Sequence, residues 1–302
     1  MEDIRKNLFY EQKNGYDLID TQERTLVEDY AADYMRFLDT SRTEREAVAN
    51  AIDEAEEYGF VPFVPGMELK PGMKVYRCNR GKALMLAVIG TESLANGAVI
   101  AGAHVDCPRL DLKQNPLYEE DELAYFKTHY YGGIKKYQWV AIPLELHGVV
   151  ALKNGETLEV TVGRNPGEPR FVITDLLPHL AADQMKKTMA EGITGEGLNI
   201  LIGSVPYADD GKDKVKLAVM SLLNDAYGIT EEDFLSAELT AVPAFDVSEI
   251  GLDRSMIGGY GHDDKVCAYP ALTGLFENPD SPHTIMAILA DKEENQDFQK
   301  VL

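Results

Sequence analysis

Three short stretches carry side chains able to bind metal or move protons. In AGAHVDCPRLDLK, Ala101 to Lys113, His104 closes an apolar run and Asp106 stands two residues on. A neutral imidazole is a good zinc ligand, and a carboxylate on its other nitrogen fixes the tautomer and raises its basicity. A His-x-Asp pair taken alone is more often a hydrogen-bonded couple in a core. In GYGHDDK, Asp263 and Asp264 follow a glycine-rich loop. A carboxylate can bridge two metal ions about 3.5–4 Å apart, which a neutral ligand does poorly. Its plain alternative is a solvated acidic turn, or Asp263 as the cap of a helix over DDKVCAYPAL. In DKEE, Asp291 to Glu294, charge follows the apolar run Ile285 to Ala290. Neighbouring glutamates on irregular backbone can divide the roles of metal ligand and general base, although a charged surface turn is the commoner outcome. All three stretches follow buried-strand patterns or glycine turns, and that coincidence favours chemistry over three separate accidents.

The elements that must position them read as α/β. MKVYRC, KALMLAVIG and GAVIAGAHV are strand patterns. The last is nearly all apolar, as expected of a strand buried on both faces. His104 then sits at a strand's C-terminal end, where open α/β sheets collect ligands. The first sixty residues predict two amphipathic helices, the second opening on a Ser41–Glu44 capping box. From about Tyr130, alternating runs surround Asn154-Gly155, a two-residue hairpin signal. Two helical patterns follow, TDLLPHLAADQMKKTMAEG and DKVKLAVMSLLNDAYG, the second closed by Gly228. The α/β character returns in FDVSEIGLDRSMIGGYGHDDKVCAYPAL and PHTIMAILADKEE, where Pro270 is expected to kink or end its helix. One discontinuous domain, 1–113 with 243–302, interrupted by an α+β unit over 114–242, explains this order.

The length of 302 residues suits two domains rather than one core. With 29 basic and 51 acidic side chains, the formal charge of −22 disfavours nucleic acid and anionic membrane surfaces as partners. No apolar run is of membrane-spanning length, and the first residues lack a signal-peptide core. Cys78, Cys107 and Cys267 form no CxxC pair, which argues against a disulfide scaffold and fits a reducing, cytoplasmic setting. GSVPYADDGK lacks the spacing of a phosphate loop, and there is no GxSxG elbow. GGYGH follows no clear strand, so a dinucleotide fingerprint is unsupported. Tyr130, Tyr131 and Trp139 lie around the Gly132-Gly133 turn and read as packing or an oligomer contact.

The chain also resembles the aspartyl-aminopeptidase family of dinuclear zinc metallopeptidases. GAHVDCPRLDLK, HYYGGIKK, LLPHLA, GGYGHDDKVCAYPAL and DKEE carry the likeness, in that order. It implies a zinc-exopeptidase-like three-layer fold, a sheet with helices on both faces, interrupted by an α+β dimerisation domain. It implies hydrolysis of the N-terminal residue of peptides, acidic residues among those accepted, with two zinc ions and a homo-oligomer built on dimers. On this resemblance His104 is a ligand of one zinc, Asp106 its orienting partner, and Asp263 the bridging carboxylate. Glu293 is the general base toward a bridging water, and Glu294 a ligand of the other zinc. His179, in LLPHLA, matches a segment that reaches a neighbouring subunit's substrate pocket; otherwise it is a histidine on an amphipathic helix.

The family pattern departs after the glutamate pair. Family members continue through an Ile-Gly-Ser-like turn into a long C-terminal portion with a further Asp and a final His ligand. Here Asn295-Gln296-Asp297-Phe298 follows and the sequence reaches Leu302. His283 precedes the last strand pattern and cannot replace the missing ligand. Two protein ligands per zinc, against the usual three for a catalytic ion, predict weak or absent metal binding. The competing expectation is a non-catalytic oligomer-forming protein that keeps the fold without a complete metal site.

Overall fold

The computed structural model describes residues 2–292. Glu293 and Glu294 lie outside that range. The N-terminal part is helical: α1 (Glu2–Leu8), α2 (Thr21–Thr40) and α3 (Glu44–Glu57). Four strands follow, β1 (Val61–Pro62), β2 (Lys74–Asn79), β3 (Ala83–Val88) and β4 (Ala98–His104). The middle of the chain holds β5 (Arg109–Glu120), β6 (Leu123–Tyr131), β7 (Leu144–Ala151) and β8 (Thr157–Val162). It continues through the one-turn α4 (Met189–Gly192), β9 (Ile200–Gly203), α5 (Lys214–Tyr227) and β10 (Ala237–Pro243). A small hairpin of β11 (Ser248–Ile250) and β12 (Met256–Gly258) leads to α6 (His262–Phe276) and β13 (Thr284–Ala290).

The first and last segments build one five-stranded sheet, ordered β1-β2-β3-β13-β4. β13 runs antiparallel to β3 and parallel to β4, with Ala290 paired to His104. Leu84, Leu86 and Val88 of β3 alternate inward onto Phe37, Ala51 and Leu272 of the helices. Each such leucine contributes about 1.5–3 kcal/mol by leaving water. The middle segment builds a second, six-stranded sheet, ordered β8-β7-β10-β5-β6-β9, with α5 against β5, β6 and β9. Its core holds Leu110, Phe126, Leu144 and Leu239. Only Val105 to Pro108 separate β4 of the first sheet from β5 of the second.

Several local expectations change. β4 is apolar but not buried on both faces: it is an edge strand with Ala98 to Gly102 exposed, and burial begins only toward His104. The capping box sits at Thr43 and Glu46, because Ser41 accepts a bond from Asn50 and Glu44 turns inward to Arg109. The hairpin at Asn154-Gly155 has a three-residue loop, since Leu152 and Glu156 still exchange a backbone bond; Gly155 takes φ +88°. Thr174 to Gly192 is not one helix. Pro178 restricts Leu177 and supplies no N–H, and Leu176, Leu177 and Leu180 are exposed, so no buried face holds a helix together. α6, conversely, passes through Pro270 to Phe276. The carbonyl left without a donor belongs to Val266, an exposed residue, so the lost bond does not fall in the core.

Candidate metal centre

The end of β4 delivers His104 into the joint between the two sheets, 8% exposed. Asp106, fully buried two residues on, accepts from His104 Nδ1 at 3.0 Å through Oδ1, and its main-chain oxygen lies 3.2 Å from the same nitrogen. An ionised carboxylate only accepts, so the pair puts a proton on Nδ1 and turns Nε2 outward. Asp106 Oδ2 accepts from the Tyr131 hydroxyl at 2.6 Å. Asp106 is thus hydrogen-bonded both to the imidazole and to the second sheet.

His104 Nε2 faces Asp263 Oδ1 at 3.2 Å. Asp263 comes from the glycine-rich turn that begins α6, with non-helical φ −86° and ψ 106° and a cis peptide to Asp264. It does not cap the helix: Gly261, at φ +97°, occupies that position without a side-chain bond. The turn is tight there. A Cβ on Gly261 would lie 3.2 Å from Lys265 Nζ, which in turn sits 2.9 Å from Cys107 Sγ. Lys265 is fully buried, and this thiol–ammonium contact ties the loop after β4 to the loop before α6.

The electrostatics favour a cation between His104 and Asp263. Burial alone pushes the imidazole toward neutrality, but the Asp106 hydrogen bond and charge, with Asp264 behind them, outweigh it and raise His104 to about 9. Without metal, a proton on Nε2 reconciles the ring with the Asp263 carboxylate. Two ligands of one tetrahedral zinc, at bond lengths near 2.0–2.2 Å, stand about 3.3 Å apart. The observed 3.2 Å suits a shared ion as well as a shared proton. The pair therefore fits as two donors of a zinc site. Among the described residues no group of three or more His, Cys, Asp or Glu side chains completes a cage.

The third sequence cluster begins beside this pair. Ala290 is registered with His104, so β13 leaves the sheet next to the imidazole. Burial pushes the Asp291 carboxyl up, and Lys292 lies 3.3 Å from it and 3.5 Å from Glu44. His179 is exposed on the turn after Pro178, not on a helix. Beside Asp263 opens a cavity of about 330 Å³ lined by Ile134, Lys135, Gln138, Trp139 and Tyr260. From sequence Tyr131 reads as packing or an oligomer contact, and Lys265 is not singled out. Each belongs to a quoted motif, HYYGGIKK and GHDDK, but neither has a residue type that announces metal chemistry.

Known proteins resemble this chain over most of its length. Residues 37–295 match the profile of the family described as aminopeptidase I zinc metalloprotease (M18). A probable M18 family aminopeptidase 1 of Clostridium acetobutylicum is 47% identical over 293 residues, covering 95% of this chain and 63% of the relative. The crystal structure of an M18 aminopeptidase from Thermotoga maritima superposes with a TM-score of 0.89 at 43% identity, covering 95% of this chain and 62% of that one. An aspartyl aminopeptidase of Caenorhabditis elegans is 24% identical over 286 residues, covering 87% of this chain and 61% of the relative. The chain thus spans less than two thirds of the length of these relatives.

Proposed function

Because this chain belongs to the aminopeptidase I zinc metalloprotease (M18) family, we propose that it acts as a zinc aminopeptidase, releasing the N-terminal residue of peptides. The observation that carries the proposal is the pair His104 Nε2 and Asp263 Oδ1 at 3.2 Å, with Asp106 buried behind the imidazole. His104 and Asp263 would hold zinc together with Glu294, and Asp106 would orient His104 as a ligand. Bound zinc supplies Lewis acidity toward the scissile carbonyl and lowers the pKa of water. Glu293 accepts a proton from the attacking water and passes it to the departing amine. Glu293 and Glu294 take these roles from the family resemblance.

The cavity beside Asp263 is our choice for the side chain of the residue removed. Trp139 and Ile134 give it apolar wall, and exposed Lys135 gives it a positive edge able to pair with Asp or Glu. A local cation of this kind is needed because the formal charge of −22 repels acidic peptides at long range. We further propose that the six-stranded unit, roughly residues 114–242, is a separate domain that joins copies of the chain. The exposed Leu176, Leu177, Leu180, Met185 and Met189 support that reading, since such apolar exposure marks interaction surface. His179 lies in the same stretch and would reach a neighbour's cavity.

The test is turnover of Asp- and Leu-anilides by the chain in zinc-supplemented buffer, with Glu293→Gln alongside. Turnover that falls at least 100-fold in Glu293→Gln supports the proposal. A folded oligomer that retains no zinc and turns over neither substrate would instead favour the non-catalytic reading.

A further inference from the structure

We infer that Tyr131 is a positioning residue, through which the six-stranded sheet fixes Asp106 and hence the direction of His104. The geometry stands by itself; its consequence for zinc rests on the proposed function above. Tyr131 closes β6, and its hydroxyl donates to Asp106 Oδ2 at 2.6 Å. Asp106 is fully buried, so the rotation of its carboxylate is set by the donors that reach it. His104 Nδ1 holds Oδ1 and Tyr131 holds Oδ2. Removing the hydroxyl takes away the donor on Oδ2, so the carboxylate is held less firmly and the imidazole that leans on it is less closely oriented.

The ring of Tyr131 is located as firmly as its hydroxyl. The Arg109 guanidinium lies 4.7 Å from the ring centroid and the Lys292 ammonium 4.9 Å, both within cation–π range. Arg109 stands directly across from Tyr131 in the β5·β6 pair. Glu44 at the start of α3 pins both cations: Arg109 donates to its two oxygens at 2.9 and 3.3 Å, and Lys292 stands 3.5 Å from Oε1. Two cations beside the ring draw electron density from the phenol and make its O–H a better donor to the carboxylate. Lys292 also belongs to the segment leaving β13 beside His104. One ring thus ties together α3, the second sheet, the orienting carboxylate and the start of the DKEE segment.

The test uses the full chain and Tyr131→Phe, which keeps the ring and its cations but removes the hydroxyl. Two quantities are read: the zinc dissociation constant by competition with a chromophoric chelator, and the downfield Nδ1–H resonance of His104 by NMR in the metal-free protein at fixed pH. Positioning predicts zinc binding weakened about tenfold or more, and a His104 Nδ1–H signal shifted or lost to exchange, with unchanged circular dichroism. A purely structural role for the ring predicts that both readouts stay as in the wild type, and that result overturns the inference. If the wild type takes up no zinc, the proposed function fails, while the His104 resonance still decides the role of Tyr131.

Discussion

Glu46 of α3 and His147 of β7 are hydrogen-bonded at 2.7 Å, across the boundary between the helices of the first sheet and the strands of the second. Around them lies a buried charge cluster. Glu145 Oε1 is 3.2 Å from His147 Nε2 and 3.3 Å from Arg42 Nε. Those two contacts are within ion-pair distance but off the hydrogen-bond axis, so they act through charge rather than directional bonding. Arg42 is further held by Asp39 and by the Phe245 carbonyl. Breaking such a cluster from one side leaves an uncompensated buried charge, which is costly.

The cluster predicts a pH dependence. Burial pushes His147 down, but the close contacts and charges of Glu145 and Glu46, the latter hydrogen-bonded to the ring, outweigh it and raise the ring to about 9. A raised histidine contributes its full stabilisation below the unfolded value of about 6.5 and loses it as pH rises through the folded value. Urea unfolding between pH 6 and 10 should therefore show stability falling by about 2–3 kcal/mol more in the wild type than in His147→Gln. Parallel curves for the two proteins would remove His147 from the account.

The start of α3 gives a sharper local test. Thr43 and Glu46 cap each other's backbone donors. Thr43→Ala should cost about 1 kcal/mol, whereas Thr43→Ser should cost only a few tenths. Equal losses in the two variants would mean that the hydroxyl is not the capping group.

Lys265 is fully buried, and among the described residues no carboxylate lies within ion-pair reach of it; its contact is the Cys107 thiol. A buried ammonium without a carboxylate carries a desolvation cost that a thioether side chain of similar length does not. Lys265→Met should leave thermal stability unchanged or raise it by about 1–3 kcal/mol. A lower melting temperature would show that the ammonium holds the two loops together more strongly than its burial opposes it.

The cavity beside Asp263 makes a specificity prediction that follows from the proposed activity. Replacing the exposed cation by Lys135→Met should lower kcat/KM for an Asp-anilide relative to a Leu-anilide by about tenfold, a loss of about 1.4 kcal/mol. An unchanged ratio would move acidic recognition to another part of the protein.

The fold was legible where a local pattern meets a buried face. β2, β3, β4, β13 and α5 were predicted within two residues or so, and Gly228 closes α5 in the left-handed region. β5 and β6 escaped notice. Their sequences mix Lys, Gln, Asn and Glu with apolar residues, and a bulge near Leu112 to Leu117 breaks the two-residue period. Exposure of β4 was equally hidden, because strand composition cannot say whether a neighbour lies alongside. At the site, the His104–Asp106 spacing and the Asp263 turn were readable from residue type. Tyr131 was not: an aromatic residue beside two glycines reads as packing, and only the β5·β6 register brings its hydroxyl to Asp106.

The most direct test of the central claim is zinc retained per chain after equilibrium dialysis against buffered free zinc, compared among wild type, His104→Ala and Asp263→Asn. If His104 and Asp263 share an ion, the wild type retains zinc and each variant loses it while staying folded by circular dichroism. Equal zinc retention in all three proteins, or none in a folded wild type, would contradict the assignment of this pair as a metal site.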